Sequence, residues 1–207
     1  MFEQVVKFFI VFLVVVDPLS IIPIFTALTE GASQRYRRAM AIKAVSIAAI
    51  ILLLFSLGGP QLLNALGISI EAFRIFGGLL LFLIALEMVF ARESGTRTSS
   101  QEQEESKRRR DISVFPLAFP LISGPGALVT IMLWFGPVSV VRHPLAYAGY
   151  ALCVAIVLCL TLMCLLISTR IMRVLGVTGA NVVNRLLGVL LGALAVQFMI
   201  DGLKASF

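Results

Sequence analysis

Asp17-Pro18-Leu19-Ser20-Ile21-Ile22-Pro23 and Phe119-Pro120-Leu121-Ile122-Ser123-Gly124-Pro125 decide the fold between them. Both contain Pro-Leu-x-x-x-Pro, and each lies in the middle of a long apolar stretch. Proline has no amide hydrogen and its ring clashes with the preceding turn, so an uninterrupted membrane helix does not carry two of them mid-span. Broken backbone facing lipid leaves polar groups unpaired at several kcal/mol each, and persists only against protein or a wet cavity. Two matched breaks therefore predict a transporter with its substrate site at the bilayer centre.

The rest of the chain fits a membrane setting. Of 207 residues, 59% are hydrophobic and 14% charged, with a mean hydropathy of +1.02. Soluble domains carry nearly twice that charged fraction. Spans of about 20 apolar residues are predicted at 5–29, 39–63, 70–91, 113–136, 144–168 and 182–203. Gly58-Gly59-Pro60 is read as the end of the second, Pro144 as the start of the fifth, and Gly176 and Gly179 as a loop before the sixth. The first span is no secretory signal, because Asp17 interrupts it and no small-residue cleavage site follows. Cys153, Cys159 and Cys164 share one apolar run without metal-site spacing, and are read as small apolar filler.

Net charge is +6, yet the basic residues gather in loops and form no basic face, so no nucleic acid is expected as a partner. Arg35, Arg37 and Arg38 follow the first span, Arg92, Arg97 and Lys107 to Arg110 the third, and Arg170 and Arg173 the fifth. Basic loops are cytoplasmic, which predicts both termini outside and an inner-membrane location. Residues 92–112, rich in Arg, Ser, Gln and Glu, are read as a charged linker between halves 1–91 and 113–207. Lys43 is expected to snorkel from the second span.

The halves match beyond the prolines. Leu66-Gly67-Ile68 and Arg74-Ile75-Phe76-Gly77 parallel Leu175-Gly176-Val177 and Arg185-Leu186-Leu187-Gly188, and Met88 parallels Met199. Three spans per half put the second half in from the opposite side. The prediction is an all-α polytopic protein of six transmembrane helices in 3+3 inverted-topology repeats, with helices one and four broken.

Asp17 is the sharpest candidate for chemistry, since a carboxylate at a helix centre costs roughly 2.5–3.5 kcal/mol to insert. It could hold a coupling cation such as Na+ or H+, or a substrate amine; the alternative is a cap on the amides freed at Pro18. Ser20, Ser123 and Thr130 offer hydroxyls to a small polar ligand, or else bond their own backbone. Gly124 and Gly126 flank Pro125 and permit close approach of a ligand to bare amides. The half-helix beginning there would aim its positive end at a carboxylate; the alternative is tight helix packing. Arg74, Arg185 and Asp201 are candidates for gating or anchoring, and Gln197 is read as buried and in need of a partner. Gly77-Gly78 and Gly188/Gly192 fit small-residue packing, within or between protomers. His143 has no nucleophile or metal partner nearby in sequence, and neither an enzymatic activity nor a cofactor is expected.

Asp17-Pro18-Leu19 with Pro23-Ile24-Phe25, the run Phe115-Pro116-Leu117-Ala118-Phe119-Pro120-Leu121-Ile122-Ser123-Gly124-Pro125-Gly126, and Asn181, Arg185, Gly188, Gln197 and Asp201-Gly202 together resemble the MarC family of bacterial and archaeal integral membrane proteins. The resemblance covers nearly the whole chain. It implies about six spans and transport of small neutral amino acids such as glycine or alanine, as described for an archaeal branch. The family is also grouped with amino acid exporters, so direction stays open, and a scaffold or channel-like subunit is the non-carrier alternative. Similar sequences carry Gly-Asn where this chain has Ser20-Ile21. The expected partners are a small-molecule substrate and the lipid bilayer, with the oligomeric state undetermined.

Overall fold

The computed structural model describes residues 2–90, 111–138 and 143–207, without the side chains of 175–178 and 180. The expected linker at 92–112 therefore lies outside the described residues except for Asp111 and Ile112, as does Arg142. The elements are α1 (Phe2–Val16), α2 (Pro18–Leu28), α3 (Gln34–Ala65), α4 (Ile70–Phe90), a wide-turned α5 (Ser113–Ile122), α6 (Pro125–Phe135), α7 (Pro144–Leu166) and α8 (Ser168–Ser206). No strand occurs among the described residues. Among the described residues five helices are long and apolar enough to cross a membrane, the first of them Phe2–Leu28, and the bent pair α5–α6 brings the number to six when counted as one span. The protein is an all-α polytopic membrane protein.

Local sequence explains most boundaries. Ser33 caps α3, its hydroxyl accepting the Tyr36 amide at 3.3 Å. Gly67, at φ +68°, turns the chain after α3 so that the Ile68 amide reaches the Leu63 carbonyl at 2.9 Å. Only glycine adopts that left-handed backbone without a Cβ penalty. Pro144 occupies the first turn of α7, where its missing amide costs nothing.

Two expected boundaries are overturned. The second span does not end at Gly58-Gly59-Pro60, because α3 runs through Pro60 to Ala65. Pro60 removes one donor, to the Ser56 carbonyl, while packing holds the helix in place: a Cβ at Gly59 would lie 2.9 Å from Met132 Cγ on α6. Likewise, Gly176 and Gly179 lie inside α8, which begins at Ser168 rather than near 182. At 1.5 Å per residue, 39 residues exceed the bilayer core. The membrane-crossing part is Asn181–Ser206, and Arg170 and Arg173 ride exposed on the preceding turns.

The first span is the hub. In its most apolar window 61% of residues are buried, against 22% to 33% in the other four single-helix spans. Its α1 half packs on α6 and α7, and its α2 half on α7, α8 and α5. The core is built from Phe8, Phe12, Ile21, Phe25, Leu52, Leu81, Leu117 and Ile122.

The most extensive pair is α4 with α8. A Cβ at Gly78 would fall 2.6 Å from Met199 Cγ and 2.8 Å from the Ala195 carbonyl; one at Gly188 would fall 2.8 Å from Met88 Cβ and 3.0 Å from the Ala85 carbonyl. Gly202 meets Ile75 in the same way, so the two helices run antiparallel. These glycines thus pack within one chain, and Gly77 turns to Val129 of α6 instead. Gly78→Val is expected to lower stability by about 3 kcal/mol or more, because the new methyls meet backbone. Gly192→Ala, whose Cβ would meet only Ala85 Cβ at 3.6 Å, should be nearly neutral. Thermal melts of the two variants in detergent test the contrast.

Candidate functional site

The first break is one residue wide. The Asp17 amide completes α1 by donating to the Leu13 carbonyl at 2.9 Å. Asp17 itself adopts φ 46°, ψ 71°, and no other non-glycine residue among those described has a positive φ. Aspartate tolerates this region better than most side chains, at some cost in strain. Pro18 then opens α2, and the Asp17 carboxylate caps it. One oxygen accepts the Ser20 amide at 3.4 Å, and the other accepts the Ser20 hydroxyl in a very short contact. Asp17 is 1% exposed. Pro23, inside α2, withdraws the donor that the Leu19 carbonyl would otherwise receive.

The second break is wider and sharper. Phe115 and Phe119, each before a cis proline, are extended at φ −127° and −132°; residues before proline avoid the helical region. The chain advances in five-residue turns, with the Leu117 amide on the Ile112 carbonyl at 3.3 Å and the Ser123 amide on the Ala118 carbonyl at 2.9 Å. It then bends by 56° into α6. Gly124 is wedged on the turn before it, since a Cβ there would lie 2.2 Å from the Pro120 carbonyl oxygen. The first intrahelical donor of α6 is Leu128, onto the Gly124 carbonyl at 3.0 Å. The amides of Gly126 and Ala127 therefore precede the helical ladder, at the positive end of its dipole.

The two breaks meet. A Cβ on Gly126 would lie 3.0 Å from Val15 Cγ1, two residues before Asp17, and 2.9 Å from Ile84 Cδ1 of α4. Asp17, Pro18 and Ser20 flank the first break, and Ser123, Gly124, Pro125 and Gly126 the second, with Thr130 one turn along α6. The hydroxyls are engaged locally: Ser123 donates to the Ala118 carbonyl at 2.7 Å and Thr130 to the Gly126 carbonyl at 2.8 Å.

The remaining candidates lie elsewhere. Gln197 is exposed rather than buried, and donates to Asp201 Oδ1 at 2.7 Å one turn on. It projects away from the face that Ala195 and Met199 turn to α4. Arg74 and Asp201 precede Ile75 and Gly202, which touch, so they stand level on the antiparallel pair. Ion pairs join Lys7 to Glu3 and Lys43 to Asp111.

Lys43 does not simply snorkel, since it reaches Asp111 in front of α5. Asp111 Oδ1 in turn accepts the Ser113 amide at 3.0 Å. The Lys43 and Ser113 bonds hold the Asp111 carboxyl down at about 2. A depressed carboxyl pKa contributes stability that is complete above its ordinary value and fades as pH falls through the folded one. The Lys43–Asp111 contact is therefore expected to survive acidification to pH 3 and to weaken near pH 2. Carboxyl chemical shifts followed over that range would show it. Sequence reading also missed Arg37 and Ser168, which bond to each other at 3.0 Å across 131 residues; nothing in the sequence separates Arg37 from Arg35 and Arg38.

A family model described as MarC family integral membrane protein matches residues 2–207. The UPF0056 membrane protein YvbG of Bacillus subtilis is 37% identical over 100% of this chain and 97% of its own. The Escherichia coli UPF0056 membrane protein YhcE is 34% identical over 97% and 92%. A UPF0056 membrane protein of Archaeoglobus fulgidus is 37% identical over 92% and 87%. No solved structure matches.

Proposed function

The chain belongs to the MarC family of integral membrane proteins, and on that premise we propose that it is a secondary transporter of small neutral amino acids such as glycine or alanine, coupled to Na+ or H+. One observation carries the reading: a buried carboxylate caps a left-handed helix break, and Val15, two residues before it, touches Gly126 at the amino end of a second broken helix. Positive amides at one break and a negative side chain at the other complement the carboxylate and ammonium of an amino acid. The amides of Gly126 and Ala127 take the carboxylate. Asp17 takes the coupling cation, the proton or the substrate amine, once Ser20 releases it. Val15, Leu81 and Ile84 crowd Gly126 and favour a small substrate side chain.

In this reading the halves 1–91 and 113–207 are inverted repeats that rock about the shared site. The contacts of Gly78 with Met199 and of Gly188 with Met88 support such a relation to within one residue of the repeat register, since Gly188 aligns with Gly77. The basic loops support a bacterial inner-membrane location with both termini outside as part of this proposal. The test is uptake of radiolabelled glycine and alanine into proteoliposomes, with sodium and pH gradients imposed in turn. Saturable, gradient-dependent uptake is the expected result. No flux of either amino acid under any gradient would sink the reading.

A further inference from the structure

The two ends of the molecule are closed by different chemistry. At one end, Phe8 of α1 packs tilted or edge-on against Trp134, Phe135 and Tyr150 with ring centroids 5.1–5.9 Å apart, and Phe135 meets Tyr147 at 4.9 Å. That closure is aromatic packing. The other end carries Arg35, Arg37, Arg38, Arg170 and Arg173. There, Arg37 alone of its trio turns inward. Its guanidinium donates to the hydroxyl of Ser168, itself 1% exposed, at 3.0 Å and lies 5.7 Å above the Phe25 ring. Arg37 belongs to α3, Phe25 to α2 and Ser168 to the first turn of α8, so one side chain ties three elements from both halves. Asp17, Ile21 and Phe25 follow at four-residue intervals, one face of α2, and all are buried. Phe25, held under Arg37, is the last apolar member of this row, with buried Thr29 following it toward the basic end.

We propose that Arg37 is a latch: its bond to Ser168 and its seat on Phe25 hold the basic end shut over the face of α2 that leads from the break at Asp17. The proposal rests on the transporter reading, which requires this end to open. Opening breaks the Arg37–Ser168 bond and frees Phe25 to move, whereas the aromatic end stays packed.

The test is a cysteine probe at Ile21. In full-length protein with Cys153, Cys159 and Cys164 replaced by alanine, Ile21→Cys is exposed in lipid vesicles to a hydrophilic maleimide from the basic side. Arg37→Ala and Ser168→Ala are each expected to speed labelling about tenfold, the equilibrium worth of one charge-assisted bond. Arg37→Lys, which keeps the charge and a donor, should fall between. Val157→Cys, buried in α7, is the control. Unchanged labelling at Ile21 overturns the latch, as does faster labelling at both positions, which would mean general loosening. Transport is read separately: absence of glycine and alanine flux in the unmodified chain counts against the transport reading, and the labelling rates still decide whether Arg37 closes this end.

Discussion

An Asp17→Asn protein is expected to fold and melt like the native chain and yet to lose gradient-driven uptake by an order of magnitude or more. The reasoning separates two roles that one residue holds together. Structurally, position 17 needs a short polar side chain that tolerates φ 46° and accepts the Ser20 amide. Asparagine ranks with aspartate as a helix cap and enters the left-handed region as readily. Its carbonyl oxygen can replace Oδ1, and its amide can donate to a Ser20 hydroxyl turned the other way. What it cannot do is carry a negative charge or a proton. A contact with a charged group contributes about 1.5–3 kcal/mol, about one to two orders of magnitude in affinity for the coupling cation or ammonium. Asp17→Ala is the contrasting variant: it loses the cap as well, at about 1 kcal/mol, and places a side chain with no local acceptor at the strained φ. Melting temperature and initial uptake rate, measured on both, distinguish them. Uptake by Asp17→Asn with unchanged sodium and pH dependence would show that Asp17 is only a cap.

Gly124→Ala is expected to be among the most destabilising single substitutions in the chain, and Gly126→Ala comparatively mild, although the two residues flank the same proline. At Gly124 the added methyl would lie 2.2 Å from the Pro120 carbonyl oxygen, a backbone atom fixed by the bend. Relieving that overlap means opening the 56° bend itself, which also sets the direction of the α6 amides. At Gly126 the nearest atom is Ile84 Cδ1 at 2.9 Å, the far end of a flexible side chain, and a small rotation makes room. Overpacking in a close-packed interior costs about 1–3 kcal/mol where neighbours can shift, and more where they cannot. Yield of folded protein after detergent extraction, with its melting temperature, is the measurement. A Gly124→Ala chain as stable as the native one would mean that the second break is softer than its packing indicates.

Much of the candidate site was legible beforehand, for a local reason. Proline and glycine act on the backbone next to them, so Pro18 and the Ser123-Gly124-Pro125 run announce interruptions without any tertiary context. Asp17 stood out because a carboxylate mid-span is expensive wherever it points. Gln197 shows where that logic stops. Polarity placed it among buried residues, but the rotation of α8 about its own axis sends it outward to Asp201. Rotation is set by Gly188, Ala195, Met199 and Gly202 seating on α4, a fit between two helices that neither sequence segment contains. Pro60, Gly176 and Gly179 misled for a related reason, because helix-breaking preferences of about 1–3 kcal/mol yield when the surroundings favour a continued helix.

Local pattern is enough to establish a polytopic helical membrane protein with two interrupted spans, because hydropathy and backbone restriction are properties of the nearby chain. The tertiary structure alone decided that the interruptions meet at Val15 and Gly126, that the small-residue faces of α4 and α8 pack on each other, and that Arg37 rather than Arg35 or Arg38 reaches Ser168. Those outcomes depend on which faces of the helices turn toward one another, and close packing selects among rotations that cost the isolated helices nothing.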